Sequence, residues 1–465
     1  MKKYDLLKVL GITFAIVFLL SWIIPAGAYS EGKFVATGTT TPIGLYDIFR
    51  IPAITIATFI QYGLVFLAIG GFYGVLNKTG VYSKLVDGLA KKWNKNKNKF
   101  MILTIIIFAL LTSITGLANV VFILVPLFVA ILLKLGFNKI TAFSSTVGAI
   151  LIGQIGCTFG FNVWGYLKYT FDLDMTTLLL ARIVLLVMTL VLFIMLVKKN
   201  DKETKNKKEE NIPLYEQTES KKKTMPIIVI SIISIILLMV GLYNWYYGLE
   251  IDFFATLNET IMTYEFNGYP LFGNLFGTVS EFGYWGNYDI VTILVIASLI
   301  IGWIYNLKLD DILKEFKDGS KEMLKPALYS MLASVIFAIF INMENGNFVA
   351  TIMSKFIENS ENFTFTGTIG SALISSFAYN DFYTLLTTFS SAFTGFEKTI
   401  IPVVAFILQT MYGIVMLIAP TSIYLLAGLS YLQIPYKEWV KYIWKFLLTI
   451  FGVVVVVAFV LTTLV

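Results

Sequence analysis

Histidine is absent from this chain of 465 residues. That gap removes imidazole metal ligands, Ser-His nucleophile pairs and imidazole proton relays together. Cysteine is nearly absent. Cys157 stands alone, which excludes an intrachain disulfide and a cysteine-cluster metal site. Charge is scarce as well, at 14% of residues, where a globular domain averages about 25%. With no phosphate-cradling loop and no paired-acid motif either, the chain is not expected to be an enzyme, to carry a cofactor or to bind nucleic acid.

What fills the chain instead is apolar: 57% of residues are hydrophobic and the mean hydropathy is +0.79. Several runs reach the roughly 20 apolar residues needed to cross about 30 Å of hydrocarbon. A barrel would show short alternating segments, so the sequence predicts an all-α polytopic membrane protein. Spans are expected near 9–24, 54–77, 140–171, 177–198, 225–247, 289–306, 326–357, 399–433 and 440–463, about nine in all. The start resembles a secretion signal, with a basic front and small residues at Ala26 and Ala28; the preferred reading is a retained first span. Two further runs, 100–136 and 366–396, read as re-entrant hairpins, the first opening to the cytoplasm and the second outward. With the N-terminus inside the cell membrane, most of the 35 Lys and Arg residues fall on the cytoplasmic side, as the positive-inside rule requires. A lysine-rich cytoplasmic linker, 199–224, reads as a flexible connector, and 225–288 as an extra span with an external loop. Residues 81–93 and 307–325 alternate charged and apolar residues at helical spacing and look interfacial.

Of the 29 acidic side chains, only Glu344 and Asp381 fall inside span-length apolar stretches. A carboxylate at bilayer depth costs about 2.5 to 3.5 kcal/mol on insertion scales, so it normally faces a partner, a cavity or a permeating species. Both sit where the helical pattern breaks. The breaks are themselves paired: tip Asn119 precedes the break at Thr158 by 39 residues, and tip Asn380 precedes that at Thr421 by 41. An odd number of crossings separates the copies, so 1–198 and 289–465 are expected to form an inverted repeat. Interrupted segments in corresponding positions point to a secondary transporter's site. The polar residues there are Ser113, Thr115, Asn119, Gln154, Cys157, Thr158 and Asn162 in the first half and Ser375, Ser376, Asn380, Asp381, Thr421 and Ser422 in the second. Freed carbonyls with Asn and Thr oxygens would suit Na+ near Asn119, Thr158, Asn380 and Thr421, while half-helix ends can hold a substrate carboxylate. Arg182 is placed about one turn inside an outer helix end, snorkelling, so the core is read as holding two acids and no base.

The strings SWIIPAGAY, KDGSKEMLKPAL, GNFVATIM and MLIAPTSIYLLAGLSYLQIPYKEWVKYIWKF resemble the YfcC-like carriers of the anaerobic C4-dicarboxylate carrier family. That family is related to the p-aminobenzoyl-glutamate transporters and the ion transporter superfamily. The resemblance implies an elevator-type carrier with a dimerising scaffold and a transport domain, a homodimer in the lipid bilayer, and a carboxylate-bearing substrate with sodium or proton coupling or exchange. The family's glycine-serine-threonine break falls on Gly156, Cys157 and Thr158, and its proline-threonine-serine break on Pro420, Thr421 and Ser422. Where the family's first tip has alanine followed by two glutamates, this chain has Ala118, Asn119 and Val120.

A core with two acids and no base suits a small amino acid, including a basic one such as arginine or ornithine, whose ammonium would pair with Asp381 or Glu344. A C4-dicarboxylate or another small carboxylate is the alternative. A channel would show rings of like charge, and none is apparent; a membrane sensor is the remote remainder.

Overall fold

The computed structural model describes residues 5–204, 212–341, 347–357 and 363–464. Glu344 lies outside them. Among the described residues eight helical stretches are long and apolar enough to cross a membrane. Seven of them answer to expected spans. The eighth, 81–115, is the first limb of the first hairpin together with the amphipathic stretch before it. The other two expected spans, 140–171 and 399–433, are both broken into short helices.

Helix α1 (Asp5–Ile23) is followed by an antiparallel hairpin, β1 (Pro25–Ser30) and β2 (Lys33–Thr40), a small addition to a mostly helical fold that the sequence reading did not place. Glu31 and Gly32 both take positive φ, 49° and 78°, the two-residue turn whose twist matches paired strands. Next comes α2 (Asp47–Lys78), then α3 (Val81–Trp93), which buries Val81, Tyr82, Val86 and Ala90 along one face. The first hairpin is α4 (Lys97–Thr115), α5 (Ala118–Phe122) and α6 (Val125–Lys134), turned by Gly116 at φ 73°. The first broken span runs α7 (Lys139–Phe143), a π turn, α8 (Ala149–Ile155), an unwound stretch at 156–160, a second π turn and α9 (Tyr166–Phe171). Helix α10 (Leu179–Thr204) closes this part.

Residues 212–223 do not hang free, contrary to the flexible connector expected over 199–224. Leu214 is buried, its carbonyl accepts from Asn77 Nδ2 at 3.1 Å, and Tyr215 donates to Asp87 at 3.0 Å. A reading by charge averages out Ile212, Leu214 and Tyr215, which are the anchors that dock it. Helix α11 (Met225–Leu242) follows, then the short α12 (Trp245–Leu249), α13 (Phe253–Met262), the strand pair β3 (Glu265–Phe266) and β4 (Tyr269–Pro270), and α14 (Leu271–Phe276). Helices α15 (Asn287–Ile304), α16 (Leu309–Glu322) and α17 (Leu324–Ile341) all pack on α2. Helix α17 is described to Ile341, and Asn347 is extended and caps a separate α18 (Phe348–Met353), so the continuous helix expected over 326–357 is interrupted.

The second hairpin is α19 (Phe365–Ala378) and α20 (Phe382–Phe389). The second broken span is α21 (Ile401–Met416) and α22 (Ile423–Leu432), parted by Pro420, and α23 (Tyr436–Thr463) ends the fold. Every residue of α21 but Pro402 is buried. Its hydrophobicity therefore serves protein packing. By contrast α11 exposes Val229, Ile232, Ile233 and Ile236, and α23 exposes Leu448, Val456 and Phe459, surfaces of the kind a soluble monomer avoids and lipid covers.

The contact of α2 with α16 depends on missing side chains. A Cβ on Gly319 would lie 2.8 Å from Gly74 Cα and closer still to the Gly70 carbonyl. A Gly319→Leu variant is expected to be destabilised by about 1 to 3 kcal/mol or more, the cost of overpacking a filled contact. Thermal unfolding of the purified protein in detergent checks this, and an unchanged midpoint refutes it.

Candidate functional site

Each hairpin tip is bonded to the broken helix beside it. In the first half, Thr158 donates to the Ser113 carbonyl from its amide at 2.9 Å and from its hydroxyl at 3.2 Å. Ser113 Oγ in turn donates to the Gly156 carbonyl at 2.6 Å. The tip and the break approach through two glycines: a Cβ on Gly116 would sit 3.1 Å from Gly160 Cα. In the second half, Pro420 supplies no amide to continue the helix. There Thr421 Oγ1 donates to the Phe377 carbonyl at 3.1 Å, and Tyr412 donates to the Asn380 carbonyl at 3.0 Å.

Between these parts lies a cavity of about 390 Å³. Both tips line it, through Asn119 and through Asn380 and Asp381, as do Cys157 and Asn162 of the first break and Ile423 and Tyr424, which follow Ser422. Thr158, Thr421 and Ser422 stand behind this wall, and the Thr158 and Thr421 hydroxyls are committed to the carbonyls just named. Thr115 faces a separate apolar cleft and bonds back to Leu111. Asp381 caps α20, accepting from the Thr384 amide at 2.7 Å. Asn380 Nδ2 donates to Ser334 at 3.1 Å, while its Oδ1 is buried with no partner among the described residues, as is Oε1 of Gln154, which also lines the cavity. Two buried amide oxygens without partners in one polar cavity are atoms that a ligand or water would satisfy.

Sequence reading did not reach several of the lining residues. Asn119 Nδ2 donates to Asn287 Oδ1 at 2.7 Å, and Asn287 Nδ2 reaches Gln61 at 3.4 Å, an amide relay joining the first tip to α15 and α2. Asn287 looks like an ordinary helix start and Gln61 like a lone polar residue in a span. Tyr62, Tyr166, Tyr383, Tyr412 and Tyr424 also line the cavity. Among 25 tyrosines and 39 phenylalanines, no spacing singles them out.

Arg182 does not snorkel. It is wholly buried, its Nη1 donating to the Thr158 carbonyl at 2.6 Å and its Nη2 to the Met175 carbonyl. The guanidinium carbon lies 3.6 Å from the centre of the Trp164 ring. Trp164 Nε1 donates to Gln409 Oε1 at 2.7 Å, and Gln409 Nε2 donates to the Ile155 carbonyl at 2.8 Å and to that of Cys157 at 3.4 Å. A buried base therefore stands one residue behind the cavity wall, and the expectation of a core without one is corrected.

The family model DcuC, C4-dicarboxylate anaerobic carrier, matches residues 5–464. The chain belongs to this family. It is thus a membrane transporter, and the likeness seen in the four strings extends over nearly the whole length. No curated protein matches the chain. Among solved structures, the chain is similar to the Alcanivorax borkumensis YdaH transporter, described as having an unusual topology, with 11% identity, 97% of each chain covered and a TM-score of 0.39. It is also similar to Neisseria gonorrhoeae MtrF, described as illuminating a class of antimetabolite efflux pumps, with 11% identity, 98% and 94% coverage and a TM-score of 0.41.

Proposed function

We propose that this chain is a secondary carrier of small carboxylates, with C4-dicarboxylates the class to test first. The observation that carries the reading is the family match over residues 5–464. The site supports it in kind. Asn119, Asn162, Gln154, Tyr62, Tyr166, Tyr383 and Tyr424 offer neutral donors to carboxylate oxygens, and Arg182 adds positive charge behind the first break. The preference for an amino acid rested on a core without a base, and that premise no longer holds.

A second reading keeps one specific support. Asp381 is the one carboxylate lining the cavity among the described residues and would pair with the ammonium of an amino acid. The same proposal includes the inverted repeat of 1–198 and 289–465, elevator movement of the two tips against a scaffold, a homodimer, and a cytoplasmic N-terminus in the cell membrane.

Reconstituted into proteoliposomes, the protein is expected to take up labelled succinate saturably, with fumarate and malate competing. Asn119→Ala should lower that uptake by about tenfold, the loss of one hydrogen bond to a charged group. Robust arginine or ornithine exchange without any succinate uptake reverses the order of the two readings.

A further inference from the structure

An interrupted helix leaves carbonyl oxygens free, and such oxygens are what a small hard cation takes. Sodium coupling would be expected to use them. In this chain most of those at the two breaks already have donors. At the first break the carbonyl of Gly156 is held by Ser113, those of Ile155 and Cys157 by Gln409, and that of Thr158 by Arg182. At the second, the Leu417 carbonyl accepts from Trp439 Nε1 at 2.8 Å, that of Ile418 accepts from the Tyr436 hydroxyl, and that of Phe377 from Thr421. At the second break the Pro420 and Thr421 carbonyls have no such donor among the described residues, but they are fewer oxygens than a hard cation takes, so the residues present do not fit a sodium ion at either place.

One of those donors is a full positive charge. Arg182 is buried against the Trp164 face, forms no ion pair among the described residues, and leaves its Nε without a hydrogen bond there. Removing a cation from water without a counter-ion is costly, and inside a membrane such a residue is a functional candidate by default. We infer that Arg182 is a resident cation at the first break, holding the unwound backbone as a bound sodium ion would, and that neither break binds a coupling sodium. Arg182 is a positioning residue here: it reaches the cavity through Thr158 and the adjoining Cys157, which lines it.

The test is thermal unfolding of the purified full chain, with sodium replaced by choline at constant ionic strength. The wild-type midpoint is expected to agree in the two salts within about 1 °C; a sodium-specific rise of more than about 3 °C, as binding to the folded state alone would give, overturns the inference. Arg182→Ala should melt lower, and low concentrations of guanidinium, but not choline, should raise its midpoint again. No response to guanidinium overturns the role of Arg182, and Arg182→Lys melting as low as Arg182→Ala does the same. The wild-type arm needs no variant to fold. None of these measurements uses a substrate, so failure of the dicarboxylate reading in uptake leaves this result legible on its own.

Discussion

Asp381→Asn protein in proteoliposomes should exchange labelled dicarboxylate across the membrane yet fail to accumulate it against a gradient when an inward proton gradient is imposed. The physical ground is charge. If the cavity takes an anion as proposed, it does so beside one carboxylate among the described residues, and two like charges in one poorly solvated space repel unless one takes up a proton. Asparagine imitates the protonated side chain and can no longer release it. The substitution also separates this role from capping. Asp381 holds the Thr384 amide, and Asn caps a helix as well as Asp does, whereas Ala costs about 1 kcal/mol. Asp381→Asn should therefore melt near the wild type, and Asp381→Ala lower. Proton-driven accumulation should fall at least about tenfold in both, the scale expected when an interaction with a charged group is removed. Undiminished accumulation by Asp381→Asn would reduce this residue to a helix cap.

The parts of the fold that were legible are those written in long periodic signals. Seven spans, the amphipathic α3 and α16, both hairpin tips and both breaks could be placed because apolar runs, lysine clusters and the Gly-Cys-Thr and Pro-Thr-Ser interruptions mark them locally. The β1–β2 hairpin was missed because it is short and its turn, Glu31-Gly32, carries only half of the usual composition. The site was legible as a neighbourhood rather than as a set of contacts. Asn119, Cys157, Asn162, Asn380 and Asp381 share one cavity, but Thr158 and Thr421 turn their hydroxyls toward backbone. Which of these two uses a buried hydroxyl serves depends on partners more than forty residues away, and local spacing carries no record of them. Arg182 shows the limit most clearly. Its position near a helix end suggested snorkelling, yet the Thr158 and Met175 carbonyls and the Trp164 ring hold it inward. Only the fold brings those three groups together.

Gln409 lies in the middle of a buried, mostly apolar helix. It is 1% exposed and fastens α21 to the first break, accepting from Trp164 and donating to two freed carbonyls. Gln409→Leu strands all three groups in the interior. With each unpaired buried group costing about 1 to 3 kcal/mol, the loss should exceed about 3 kcal/mol, read as a large fall in melting temperature and in yield of folded protein. Gln409→Glu divides stability from function. Glutamate still accepts from Trp164, and its charge enters the neighbourhood of the unpaired Arg182 guanidinium, whose attraction offsets part of the cost of burial. That variant should melt well above Gln409→Leu. It should nevertheless transport carboxylates at least about tenfold more slowly, because a neutralised Arg182 no longer supplies net positive charge behind the cavity. Rapid uptake by a stable Gln409→Glu protein would show that the charge of Arg182 does not reach the substrate.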